Sequence, residues 1–388
     1  MLLRIVLWQI SDGSNDIRTW GRYGLLVEQY GLSGTYIRDG DFNHPPLMGL
    51  WSKAVLHLAP LLGLPYGKCF KLLGMVSELA SALLLFEIWR RRGQLDRAAL
   101  AFAAYGCAIT GILISGFHGN TDPAYWFLVL AAVYLLEDRD APFLAGLTLA
   151  AALNVKLIPL LMVLPLAACC RSLKAAVRYS LGGLVGLLPF LVVFRFSGPE
   201  RAAFVQNVFA YRSLRDSWGI ELFQRMLVTT FEVSAPPLAA TINAWGEVYR
   251  QDGSKILLAI TTALAVYNLC KPRAGLDPYG MAGLCFCLFL VLASGFGVQY
   301  LGCAVPLLLA RNVRDGFWVA SVSGVFLLLV YCSFVRGWTP IATYHFGISP
   351  AFGALSFAAW WVLVRCGANI WHSRALTPEE RYQRAAAQ

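Results

Sequence analysis

Apolar stretches long enough to cross a bilayer follow one another along this whole chain, with no long polar region between them. A transmembrane helix needs roughly 20 mostly apolar residues. The 388 residues are 58% hydrophobic and 14% charged, whereas soluble domains carry about 25% charged residues. No room is left for a separate soluble domain. The chain reads as one integral membrane domain over residues 1–388, all-α and polytopic.

The spans fall at about 69–89, 98–116, 121–136, 142–155, 157–170, 179–196, 255–270, 280–298, 301–310, 317–335 and 350–365. The pair 142–155 and 157–170 also fits two half-depth helices broken between Asn154 and Pro159, a break tolerated where it lines a cavity. Arginine and lysine in short loops set the orientation. Arg90, Arg91, Arg92 and Arg97, then Arg171, Lys174 and Arg178, then Lys271 with Arg273 and Arg311 with Arg314, all fall on one side if spans alternate, as does the C-terminal tail. That side is read as cytoplasmic. The other side receives two long loops, about 11–68 and 197–254, and the short hairpins at His118 to Pro123 and at Gln299-Tyr300. Polar chemistry is therefore concentrated on the non-cytoplasmic face.

The first ten residues, MLLRIVLWQI, are apolar but rise only about 15 Å as a helix, half a hydrocarbon core. The topology needs a span there, so an upstream extension is the expectation. The ten cysteines lie mostly in apolar runs and form no CxxC or Cys/His cluster, so neither a disulfide framework nor a zinc site is expected. The net charge of +10 fits positive-inside loops and contact with anionic membrane lipid, not nucleic acid.

The first outer loop opens with two carboxylates, Asp12 and Asp16, followed by an amphipathic helix in which Ile17, Trp20, Gly24 and Val27 mark one face. Asp16 also fits as the N-terminal cap of that helix. Phe42 to Leu47 reads FNHPPL, a rigid entry to a further apolar helix. Asp122 before Pro123 has the form of a helix start; His118 and Asn120 are polar at a hairpin tip. Lys156 stands beside a proline-flanked break, where it either snorkels to the interface or serves a function. Gln299 and Tyr300 fit interface anchors, and Arg212 and Arg215 fit solvated loop charges.

Taken in order, these motifs resemble the GT-C glycosyltransferases, multispan enzymes that use polyprenyl-phosphate sugars. An aspartate after the first span, a tryptophan in the next helix and a His-Pro-Pro-Leu junction are similar to the pattern of dolichyl-phosphate-glucose glucosyltransferases and of bacterial polyprenyl-phosphate-mannose mannosyltransferases. Here Asp16, Trp20 and His44-Pro45-Pro46-Leu47 stand in those places. The tryptophan lies nearer the aspartate than in that pattern, which leaves Asp12 as the alternative. Gly116 to Leu136 resembles the family's G-x-x-D hairpin, Asn154 to Pro165 its K-x-x-P break, Val298 to Leu308 its late Q/H-x-Y hairpin, and Tyr211 to Phe223, with Trp218, its tryptophan-containing outer loop.

The resemblance implies a helical bundle of about 11–12 spans with short juxtamembrane helices on the outer face. It implies an inverting hexosyltransferase, mannose or glucose being the sugar, in a bacterial plasma membrane with an outward-facing site. Asp16 (alternatively Asp12) would be the base. Lys156, Arg212 and Arg215 would hold the donor phosphate, and Trp20, His44, His118, Asn120, Asp122, Trp218, Gln299 and Tyr300 would bind substrate. The acceptor would be a glycolipid or glycan. No cofactor or metal ligand set is read from the sequence, and a metal requirement stays open because some relatives use one. The competing reading is a transporter or flippase of lipid-linked sugars, which predicts internal repeats and midplane charges. The chain has no clear repeat, and its charges gather at one face.

Overall fold

The computed structural model describes residues 2–210, 218–271, 275–334 and 350–373, and every regular element among them is a helix. The chain is an all-α polytopic membrane protein. It forms two compact units, one of Met1–Val163 with Cys170–Tyr211 and one of Leu164–Cys169 with Arg212–Gln388.

The first unit opens with α1 (Leu2–Ile10), whose Arg4 is fully buried and donates to Glu78 Oε2 at 2.9 Å and to the Tyr105 and Gly106 carbonyls. A buried ion pair persists only when such extra hydrogen bonds offset its desolvation. The amphipathic α2 (Asn15–Arg38) buries the expected face, Ile17, Trp20, Gly24 and Val27. Against it lies α3 (Pro46–Leu61), started by the proline pair. A Cβ at Gly24 would stand 2.8 Å from the Ser52 carbonyl oxygen, so only glycine permits this crossing. Two tyrosines anchor the intervening loop, Tyr23 Oη donating to the Asp41 carbonyl and Tyr36 Oη to that of His44, both at 2.7 Å.

The long helix α4 (Tyr66–Arg91) buries, beside the ion-paired Glu78, a stripe of Gly74, Ser77, Ser81 and Ala82, small residues of the kind that let membrane helices approach closely. Next come α5 (Leu95–Gly106), the single turn α6 (Ile109–Gly111) and a π-helical turn, Ile112–His118. The following α7 (Asp122–Glu137) and α8 (Pro142–Val155) form a hairpin. The residue after α8, Lys156, reaches Asp122 at the start of α7, so α8 runs back along the length of α7. Beyond the break lie a 3-10 turn, Ile158–Met162, and α9 (Val163–Ala167). Then α10 (Leu173–Gly186) packs on α8 through glycine. A Cβ on Gly146 would collide with the Tyr179 carbonyl, and one on Gly182 with that of Phe143. Asn154 Nδ2 ties the pair, donating to the Ala150 and Gly186 carbonyls at 2.8 and 2.9 Å. Finally α11 (Gly198–Phe209) lies on α2. Ser33 Oγ bonds Glu200 at 2.6 Å, and Asn207 Nδ2 donates to the Tyr36 and Asp39 carbonyls.

The second unit comprises α9 from Leu164 onward together with α12 (Gly219–Phe231), α13 (Pro236–Cys270), α14 (Pro278–Leu292), α15 (Ala304–Arg311), α16 (Val313–Phe334) and α17 (Pro350–His372). α14 is buried on all its faces, as an apolar helix at the centre of a bundle should be. The last carbonyls of a helix lack intrahelical donors. Here Trp218 Nε1, Trp360 Nε1 and Tyr249 Oη supply them, bonding the carbonyls of Leu290, Val291 and Leu292.

Among the described residues four helices, α4, α13, α16 and α17, are long and apolar enough to cross a membrane. Two bent pairs bring the number to six: α5 with Ile109–His118, bent by 41°, and α10 with Leu188–Arg195, bent by 46°. Shorter apolar helices occupy Pro142–Val155, Ile158–Ala167, Pro278–Leu292 and Val298–Arg311. Length and composition thus support four to six full spans, fewer than the 11–12 expected from apolar segments. Prolines 142, 159, 189, 278 and 306 account for much of the difference, since each starts a helix or interrupts one.

Candidate active site

Residues 11–20 fold back against the π-helical turn because Ser14 makes three hydrogen bonds, two of them to His118. Its Oγ accepts from the Asp16 N–H at 3.2 Å, capping α2. Its own N–H and hydroxyl both donate to the His118 carbonyl, at 3.1 and 3.0 Å. Gly119, with φ of 77°, makes the turn after His118; a Cβ there would press to 2.9 Å from Ile17 Cγ1. The helix cap is therefore Ser14, and the Asp16 carboxylate is left for other partners.

Those partners are His118 and Asn120. Asp16 Oδ2 accepts from His118 Nε2 at 2.7 Å and from Asn120 Nδ2 at 2.9 Å. Oδ1 takes no hydrogen bond from the described residues, and the side chain is 41% exposed. Burial works against its charge, but the His118 hydrogen bond and charge, the Asn120 hydrogen bond and the Lys156 charge outweigh it and hold the carboxyl at about 2. Asp16 is thus ionised at any physiological pH, with one oxygen fixed and the other available.

Asn120 also starts α7, its Oδ1 accepting from the Asp122 N–H at 3.2 Å. Asp122 itself is fully buried, and its Oδ1 lies 2.5 Å from Lys156 Nζ while Oδ2 has no hydrogen-bond partner. The carboxylate therefore binds a cation instead of capping its helix. Lys156 occupies the extended residue after α8, with φ −157° and ψ 149°, so the helix break aims its side chain at α7. Its ammonium also lies 5.9 Å from the Tyr125 ring centre, a favourable cation–π distance.

His44 completes the cluster. Its ring lies 4.4 Å from that of Trp20, which in turn stacks on Phe70 at 5.1 Å. Trp20 is only 2% exposed, so it backs His44 and presents no open face. Burial, seconded by the Lys156 charge, pushes the His44 ring down to about 3 against the opposing influence of Asp16 and the Val155 carbonyl. The imidazole is therefore neutral, and among the described residues its Nδ1 has no hydrogen-bond partner.

The fold thus gathers Asp16, Trp20, His44, His118, Asn120, Asp122 and Lys156 within the first unit. Asp12 is exposed and takes no part in these bonds. Arg212 and Arg215 lie outside the described residues. Trp218, Gln299 and Tyr300 belong to the second unit. There Trp218 is buried, stacked on Phe296 at 4.5 Å with its indole N–H spent on α14. Tyr300 is buried against Phe289 and Phe296, and Gln299 is half-buried on the 3-10 turn Val298–Gly302. Sequence reasoning passed over Ser14 and Tyr125. Ser14 carried a readable signal, a cap residue just ahead of an amphipathic run; Tyr125 carried none beyond its place in the hairpin.

A carboxylate with one free oxygen beside a lysine suits removal of a proton from a hydroxyl next to a developing anion. Comparison with known proteins gives this chemistry a frame. The family model for glycosyltransferase family 87 matches residues 53–295, more than half of the chain. The match includes His118, Asn120, Asp122 and Lys156, whereas Asp16, Trp20 and His44 lie ahead of it. No curated protein matches the chain.

Proposed function

Because the chain belongs to glycosyltransferase family 87, a GT-C-type family of membrane glycosyltransferases, we propose that it transfers a hexose from a polyprenyl-phosphate donor with inversion at the anomeric carbon. The observation that carries this reading is the Asp16 carboxylate, with Oδ2 held by His118 and Asn120 and Oδ1 open. An acceptor hydroxyl on a glycolipid or glycan attacks the anomeric carbon, and its proton passes to Asp16 Oδ1. The bond from that carbon to the phosphate oxygen breaks, and polyprenyl phosphate leaves. Lys156 neutralises the leaving phosphate, as a charge-assisted donor does. A carboxyl near 2 is a weak base toward a free hydroxyl. It suffices once carbon–oxygen bond formation has made that hydroxyl acidic. The orientation set by arginine and lysine in the short loops supports an active site on the non-cytoplasmic face of a bacterial plasma membrane.

The test is transfer of labelled sugar from synthetic polyprenyl-phosphate mannose and glucose to membrane extracts by the purified protein. Wild-type protein should transfer at least one of the two. Asp16→Asn should lower kcat about 100- to 10,000-fold, the usual cost of a lost general base, while Asp12→Asn stays near wild type. Equal activity of Asp16→Asn and wild type would remove Asp16 from the mechanism. Loss confined to Asp12→Asn would move the role there.

A further inference from the structure

Beyond the cluster, α4 carries a lysine that the proposed mechanism does not use. Lys71 is 1% exposed on a helix that is otherwise apolar enough to span the membrane. Its Nζ lies 2.6 Å from the Ser11 carbonyl oxygen, 3.2 Å from that of Gly116 and 3.4 Å from that of Trp8. An ammonium has three N–H donors, so this set uses all of them. Trp8 and Ser11 close α1, and Gly116 belongs to the last turn of the π-helical segment. Both are helix C-termini, where carbonyls lack partners and carry partial negative charge. One buried cation thus serves two converging helix ends. The chain leaves one end toward Ser14 and Asp16, and leaves the other toward His118.

We infer that Lys71 is a positioning residue of the active site: by clamping these two helix ends it sets the spacing of the segments that carry Asp16 and His118. The inference rests on reading those side chains as part of the reacting site. It accounts for a fully buried cation on a helix that is otherwise apolar. It also accounts for the absence of a carboxylate among its hydrogen-bond acceptors, all of which are backbone.

The experiment compares wild type, Lys71→Met and Lys71→Arg, full length in lipid nanodiscs. Amide hydrogen exchange should rise in Lys71→Met at residues 11–18 and 116–121 and stay unchanged through α7 and α8. With a polyprenyl-phosphate hexose, kcat should fall about tenfold or more while donor KM stays within about twofold, the signature of misplacement. Lys71→Arg, which keeps the donors, should restore part of both. Unchanged exchange in the two segments overturns the inference. So does a rise spread over the whole chain, or loss of the fold, either of which makes Lys71 a general support. If Asp16→Asn keeps transfer activity, the reading of the reacting site falls instead, whatever exchange shows for Lys71→Met.

Discussion

At Lys156 and Asp122 a positive and a negative charge meet at 2.5 Å, one side chain 13% exposed and the other not at all. Removing one partner of a buried pair typically costs about 3–5 kcal/mol. Lys156→Met should therefore lower stability by about that amount and also weaken donor binding. Adding Asp122→Asn should recover much of the stability but none of the donor affinity, measured by thermal unfolding and by titration with polyprenyl-phosphate sugar. Recovery of both would make Lys156 a structural counterion. His44 gives a pH-dependent readout. Its folded value, about 3, lies below the ordinary 6.5, so between these values the unfolded chain binds a proton that the folded chain does not. That contribution is present above about pH 6.5 and is lost as the pH falls, by about 2 kcal/mol at pH 5. In His44→Gln the drop in melting temperature between pH 7 and pH 5 should be smaller than in wild type. An identical drop would mean that His44 is already charged in the folded protein. Sequence patterning singled out both residues by type and place, but not their partners. The sequence shows a carboxylate ahead of a proline and a lysine ahead of a break, and each has an ordinary local explanation. Only the hairpin that folds α8 back along α7 brings the two charges together.

Among elements, the α8–α10 contact depends on glycine at three positions and not at a fourth: besides Gly146 and Gly182, a Cβ on Gly186 would stand 2.8 Å from the Leu147 carbonyl oxygen. Cβ atoms on Gly146 and Gly182 would collide with carbonyls of the facing helix, whereas one on Gly183 would stand 3.9 Å from its nearest neighbour. Gly146→Ala and Gly182→Ala should each destabilise the protein by about 1–3 kcal/mol, the usual cost of overpacking. Gly183→Ala should be neutral or slightly stabilising, because alanine favours the helix. Equal melting temperatures for all three would show that the helices can separate at no cost. The apolar character of these segments was plain in the sequence, and most expected spans coincide with helices. Their bends and shortness were less visible. Whether a proline starts a new helix or bends an existing one is decided by the groups that satisfy the freed carbonyls. Those groups come from elsewhere in the chain: Asn154 donates to Gly186, just ahead of Pro189.

For the whole molecule, the segments expected as outer loops contain α2 and α11, which meet through Ser33–Glu200 and Asn207. Their contact agrees with placing both on one side of the bilayer. A reporter active only outside the cytoplasm should be active when inserted near Gly198 and silent when fused after Gln388. Reversed signals would turn the active site to the cytoplasm.

The bond between Asp16 and His118 spans 102 positions of sequence. At about 5–20 residues per second of synthesis, the carboxylate leaves the ribosome roughly 5–20 s before the imidazole that will hold it. During that interval Ser14 has no His118 carbonyl to bind, and the Asp16 carboxylate lacks both His118 and Asn120. The proposed active centre is therefore a late product of biogenesis, in which Asp16 waits for the hairpin that supplies its partners.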